Sequence, residues 1–171
     1  MATKTIQQSP LMFDVQAGIT FEQIKSRAKR FKRERGDIGI IAVDYLQLIR
    51  LPSSDVNYET ANIVTGLKAM AKELECVVVA LSQCSRACEN RNNNKRPRMG
   101  DLRNSGEIEA AADQIAFIYR DEVYEEASPD KGIAEIIWPK VRAGEIGTDR
   151  LLFQGHYQRF CNMAFYQENT A

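Results

Sequence analysis

The sequence predicts an α/β fold in which a mostly parallel sheet is flanked by helices and followed by antiparallel C-terminal strands. Three observations carry that expectation. Two short runs, "IGIIAVD" (38–44) and "CVVVAL" (76–81), are apolar at successive positions, the pattern of parallel strands covered on both faces. Stretches with apolar residues at helical spacing precede and separate these runs. After residue 132, "IAEIIWP", "TDRLLF" and "YQRF" read as β structure broken by turns at "RAGEIG" and "QGH". Strand, helix, strand, helix, strand in that order implies right-handed crossovers and a parallel core.

The elements follow along the chain. Residues 1–10 are polar and read as a lead-in, and "LMFDV" (11–15) as a short strand. In "GITFEQIKSRAKRFKRERG", Thr20 and Gln23 fit a capping box, and Ile19 and Ile24 stand where a hydrophobic staple closes. Phe21, Ile24, Ala28 and Phe31 repeat at helical spacing, and Gly36 fits the stop, so 21–35 is expected to be a helix. A second helix is expected over 58–75, with Ile63, Val64, Leu67, Met70, Ala71 and Leu74 as its buried stripe. The polar, Asn-rich segment 84–100 reads as a mobile loop with one helical turn. A short helix near 106–112 leads into the strand "QIAFIY" (114–119).

Composition narrows the class. The chain has 171 residues, 44% of them hydrophobic and 27% charged, enough for one domain with a real core. Lys and Arg number 23, as do Asp and Glu, but the balance is local. Residues 20–35 hold seven bases against two acids, 84–104 six against two, and 105–135 nine acids against two bases. A basic helix face is as well read as a solvated surface as a DNA or partner contact. Cys76, Cys84, Cys88 and Cys161, with the single His156, lack the spacing of a zinc site and read as free thiols of a reducing compartment. The longest apolar runs, about six residues, fall far below the roughly 20 of a membrane span, and the first residues lack a signal-peptide pattern. The expected setting is cytoplasmic.

In parallel sheets, functional groups gather at the carboxyl ends of the strands. Asp44 and Ser82–Gln83 both fall there. A carboxylate on a strand end suits Mg²⁺, which keeps most of its waters and takes one or two carboxylates plus phosphate oxygens. A strand-end acid also serves caps and turns. Gln83 can hydrogen-bond a terminal phosphate or its attacking water, or simply be a polar strand end. In "PKVRAG", Lys140 and Arg142 alternate, so on a β ribbon they share a face and suit a phosphate clamp. "GDLRNSG" (100–106) is a loop with glycine at both ends and Arg103 inside, a form that suits phosphate contact.

The order of these pieces resembles a known family. "IIAVDYLQL", "LKAMAKEL", "VVVALSQ", "KRPRMGDLRNSGEIEAAADQIAFIYRDEVY", "KGIAEIIWPKVRAG" and "IGTDRLLFQGHYQRF" are similar to the C-terminal, RecA-like motor domain of DnaB-type replicative helicases, over residues 11–160, with 161–171 as a tail. The resemblance implies an ATP-dependent motor that unwinds duplex DNA by translocating on single-stranded DNA as a homo-hexameric ring, with a primase and a helicase loader as partners, in a bacterium or phage-infected cell. It implies that Asp44 is the Walker B acid holding Mg²⁺ through water, and that Gln83 senses the γ-phosphate of ATP. It also implies that Lys140 and Arg142 reach the nucleotide of the next subunit, and that Arg103, Asn104 and Gly106 face single-stranded DNA. The chain departs from the family pattern at Gly100, Asn104 and Pro139.

A P-loop requires G-x-x-x-x-G-K-[ST], and in this chain no glycine is followed by lysine. The expected fold is therefore a RecA-like domain lacking the P-loop strand and helix. ATP and Mg²⁺ belong to the whole motor and are not expected to bind here alone. The alternative is a non-catalytic module that binds single strands or joins a helicase ring.

Overall fold

The computed structural model describes residues 9–52, 56–92, 94–102 and 105–163. In chain order these form α1 (Phe21–Arg35), β1 (Ile40–Val43), α2 (Val56–Leu74), β2 (Val77–Ala80), α3 (Ser105–Ala111), β3 (Gln114–Tyr119), β4 (Ile133–Val141), β5 (Gly147–Gln154) and β6 (Arg159–Asn162). The fold is α/β, as predicted. Its parallel part is the two-stranded pair β1–β2, in register from Ile40↔Val77 to Val43↔Ala80. The antiparallel part is a separate sheet in the order β3-β4-β5-β6.

α1 begins as its sequence dictates. The Thr20 hydroxyl accepts the Gln23 N–H, and the Gln23 side chain accepts the Thr20 N–H at 3.0 Å. It ends at Gly36, whose φ of 94° a side chain would strain. α1 rests on α2 at Gly66, where a Cβ would stand 2.5 Å from the Phe21 ring, so only glycine allows this approach. Lys32 Nζ donates to the Leu74 carbonyl at 2.8 Å and so caps the last turn of α2. Lys29 pairs with Glu73, and Arg27 reaches Asp14 and Gln16. Much of the basic face is thus engaged within the chain.

The α2 stripe forms the centre. Ile63, Val64, Leu67, Met70 and Leu74 are buried with Leu46, Ile49, Leu102, Ile108, Ile115 and Phe117, and Met70 is fully enclosed. Ala71 is only half-buried.

Two expectations fail. "LMFDV" forms no strand, because it finds no ladder partner: Leu11, Met12, Phe13 and Val15 are exposed, and an ion pair from Arg27 to Asp14 tethers the segment. β1 and β2 are covered on one face only. Ile41, Val43 and Val78 pack on the core, whereas Ile40, Val77, Val79 and Leu81 are 66, 57, 46 and 46% exposed. The apolar pattern shows what these strands are made to bury. No described residue covers their outer face.

The described residues of 84–100 hold the expected helical turn, a 3-10 turn over Arg86–Cys88, and several side chains join them to the rest. Arg96 makes a two-point ion pair with Glu135 of β4, at 2.6 and 2.7 Å, and lies over the Tyr119 ring. Tyr119 donates to Asp121 at 2.6 Å, and burial together with that bond pushes its pKa up to about 12. Arg91 binds Asp101, and Lys95 stands over Tyr124.

Candidate functional site

The parallel ladder brings the first two predicted site residues together. Asp44 follows the last residue of β1, and Ser82 and Gln83 follow β2 closely. Leu81 N–H donates to the Val43 carbonyl, and Leu46 N–H donates back to the Leu81 carbonyl, both at 2.9 Å. A 3-10 turn over Leu46–Leu48 then carries Gln47 beneath the end of β2. Gln47 Nε2 donates to the Ser82 hydroxyl at 2.9 Å, and Gln47 Oε1 accepts the Gln83 N–H at 3.3 Å. The peptide bond Asp44–Tyr45 is cis. The side chains of Asp44 and Gln83 are both exposed to solvent. Sequence reasoning singled out Asp44 and Gln83 but not Gln47. The available signal was an amide inside the otherwise apolar run "YLQLI".

Asp44 brings a single carboxylate to this strand end. Among the described residues no group of three His, Cys, Asp or Glu side chains converges, so a closed, all-protein cage is not formed there. A single solvent-facing carboxylate on a rigid strand end fits Mg²⁺ held through water beside a phosphate.

Lys140 and Arg142 lie elsewhere, at the end of β4. Lys140 Nζ donates to the Glu109 carbonyl in α3. Arg142 N–H donates to the Asp113 carbonyl at 2.8 Å, and its guanidinium stands 3.3 Å from the Asp113 carboxylate. Lys68 of α2 binds the same carboxylate. Its hydrogen bond, with the charges of Lys68 and Arg142, holds the Asp113 carboxyl below its usual range. Both cations therefore turn toward the α3–β3 corner, as one-face spacing predicts. No hydrogen bond or ion pair among the described residues links them to Asp44 or Gln83.

The loop "GDLRNSG" is described only in part. Arg103 and Asn104 lie outside the described residues. Gly106 is exposed in the first turn of α3, with no neighbouring atom within 4 Å of where a Cβ would be. Within the loop, Asp101 is buried at 6% exposure. It accepts the Arg98 N–H at 2.7 Å and binds the Arg91 guanidinium, while its carbonyl accepts the Ser85 N–H at 2.6 Å. A single antiparallel bridge pairs Cys84 with Leu102. Burial pushes the Asp101 carboxyl up, but Arg91 and the Arg98 N–H outweigh it, and the net position is below the ordinary value. The residue after Gln83 is thus joined to the loop itself, at Leu102. Burial, with the neighbouring Cys88 and Asp101, pushes the Cys84 thiol above its usual pKa. Such a thiol is less of a nucleophile, in keeping with a packing role.

Comparison with known proteins agrees with this fold. The family described as DnaB-like helicase C terminal domain matches residues 1–162. The chain is 54% identical over 156 residues to the replicative DNA helicase DnaB of Pasteurella multocida, a match covering 90% of this chain and 33% of that protein. It is 51% identical to the DnaB of Haemophilus influenzae, covering 95% of this chain and 35% of that one. Among solved structures, one described as an ATPase domain superposes with a TM-score of 0.89 at 39% identity, covering 95% of this chain and 58% of that one. A DnaB-like replicative helicase studied with primase gives 0.88 at 39% identity, covering 95% and 39%. The chain spans about a third of the length of the curated relatives it matches.

Proposed function

The chain belongs to the DnaB-like helicase C-terminal domain family, and from that membership we propose that it is part of the motor of an ATP-dependent replicative DNA helicase. In this reading the whole protein translocates on single-stranded DNA as a hexameric ring in the bacterial cytoplasm, encoded by host or phage, with primase and a loader as partners. The observation that carries the proposal is that Asp44 and Gln83 follow the carboxyl ends of the paired strands β1 and β2, with the Gln83 N–H held by Gln47.

Bound ATP would supply the phosphoanhydride whose hydrolysis drives movement, and Mg²⁺ the positive charge that offsets its phosphate oxygens. Asp44 would hold the metal through water, and Gln83 would meet the terminal phosphate. The change at Gln83 would pass through Ser85 and Asp101 toward Gly106, with Arg103 and Asn104 in the same DNA-facing loop. Lys140 and Arg142 would act on the nucleotide of a neighbouring subunit. The chain's own sequence supplies no glycine–lysine pair to cradle phosphates, so half of the nucleotide site has to come from elsewhere in the motor.

The test has two arms. The 171-residue chain with single-stranded DNA is expected to turn over no ATP above background. Turnover abolished by Asp44→Ala would overturn that expectation. Residues 9–163 placed in the Pasteurella multocida relative are expected to support turnover, and Asp44→Ala there to abolish it. Undiminished turnover in that variant would remove Asp44 from the metal site.

A second reading, a non-catalytic module that binds single strands or joins a ring, is favoured by the missing glycine–lysine pair and by the apolar outer face of β1–β2. Either reading predicts weak binding of the chain to single-stranded DNA at low salt, falling as salt rises. The slope should be shallow, because Arg27, Lys29, Lys32, Arg91 and Arg96 all have partners within the chain. Fluorescence anisotropy across a salt series checks this. Affinity absent at low salt, or unchanged across the series, would contradict it.

A further inference from the structure

We propose that Gln47 is a positioning residue that fixes Gln83 against the Asp44 turn. The inference rests on the reading of Asp44 and Gln83 as the nucleotide-facing pair. It goes further in naming the group that sets their relative position.

Three features separate this role from ordinary surface chemistry. First, Gln47 is exposed and belongs to no part of the core, so it does not serve packing. Second, the strand ends are already joined without it. Leu81 N–H to Val43 and Leu46 N–H to Leu81 hold the backbones, and the four-residue register of β1 and β2 stands behind them. What Gln47 adds lies beyond the ladder, at Ser82 and Gln83, between Leu81, which the ladder holds, and Cys84, which is bridged to Leu102. Third, the amide uses both of its ends. The Gln83 N–H can only donate, which fixes oxygen on that side of Gln47 and leaves the Nε2 donor for the Ser82 hydroxyl. A carboxamide three residues past the metal-side acid therefore reads the position of the sensor's main chain directly.

The arrangement has a direction. Gln83 is bounded on one side by Gln47 and on the other by Cys84 and Ser85, which are joined to Leu102 and Asp101. With Gln47 in place, a displacement of the Gln83 side chain is resisted at its root and passes to the Asp101 side. Without it, the root moves and the displacement dissipates before it reaches the DNA-side loop. The expected phenotype is uncoupling of DNA from turnover.

The first measurement is amide hydrogen exchange on the 171-residue chain. Gln47→Leu should strip protection from the Gln83 amide and leave the Leu81 amide, bonded to Val43, protected. Gln47→Glu, which keeps an acceptor for the Gln83 N–H and can accept the Ser82 hydroxyl proton, should restore protection at Gln83. The second is the ratio of single-strand-stimulated to unstimulated ATP turnover, in the Pasteurella multocida relative carrying residues 9–163. Gln47→Leu should lower that ratio by about tenfold, as expected for losing the hydrogen bonds of one side chain. Gln47→Glu should recover most of it. A wild-type ratio in Gln47→Leu, or loss of Leu81 protection along with Gln83, would overturn the proposal. Gln83→Ala separates the layers. If it also leaves the ratio intact, the sensor reading itself has failed. If it collapses the ratio while Gln47→Leu does not, only the positioning role is lost.

Discussion

Arg142→Ala, in a full-length helicase carrying this domain, is expected to lower ATP turnover by about 10³-fold or more while leaving nucleotide binding largely intact. The size comes from the charge that develops on a transferring phosphoryl group when a cation arrives from outside the binding subunit. The geometry of this chain makes such an arrival inexpensive. Arg142 is exposed, and its partner in the chain is an exposed carboxylate, Asp113, at 3.3 Å. An ion pair of that kind contributes under about 1 kcal/mol. Asp113 also has Lys68 as a second partner, so releasing Arg142 leaves no uncompensated charge behind. The main chain of Arg142 stays bonded to the Asp113 carbonyl, so the side chain can turn outward from a fixed root. Nucleotide binding by fluorescence titration and turnover under saturating ATP separate the possibilities. Equal loss of both would argue that Arg142 shapes its own subunit. Arg142→Lys should recover only part of the rate, because a planar fork matches phosphate oxygens better than a point charge.

The same residues show where local sequence signals suffice. The ends of α1 were legible because a capping box and a glycine stop act within a few residues of themselves. β3 was read to the residue, since its alternation leaves Ile115, Phe117 and Tyr119 buried and their neighbours exposed. That Asp44 and Gln83 stand at the same end of the β1–β2 pair followed from a general rule about strand ends. What escaped is non-local. Arg96 and Glu135 are 39 residues apart, and nothing near either one announces the ion pair that joins Arg96 to β4. Gln47 was hidden because its role depends on Ser82, 35 residues later, where β2 has ended. The "LMFDV" strand was a false positive for the converse reason: β propensity without a partner edge gives no ladder. The apolar pattern of β1 and β2 spoke for two covered faces, and the described residues supply one.

Asp101→Ala should have the largest effect on the fold itself. The carboxylate is buried and satisfies the Arg98 N–H and the Arg91 guanidinium at once. Its removal leaves a backbone donor unpaired and a cation without its partner. Breaking a fully buried pair costs about 3–5 kcal/mol, but Arg91 keeps some contact with water, which brings the expected loss to roughly 2–3 kcal/mol. For a domain of this size that lowers Tm by roughly 5–10 °C. The pH dependence follows from the sign of the shift. The folded Asp101 pKa is depressed, so its contribution is full above the unfolded value of about 3.9 and is lost as pH falls through the folded value. The difference in Tm between wild type and variant should therefore be flat from neutral pH down to about 5 and shrink only below about 4. A difference that persists unchanged at pH values well below about 3 would mean that the cost comes from the vacated space and not from the charge. Because the Asp101 carbonyl holds Ser85 and the bridge Cys84↔Leu102 lies beside it, the same variant should raise amide exchange across 84–102. If protection there survives while Tm falls, the clamp stabilises the core without ordering the path from Gln83 to the loop.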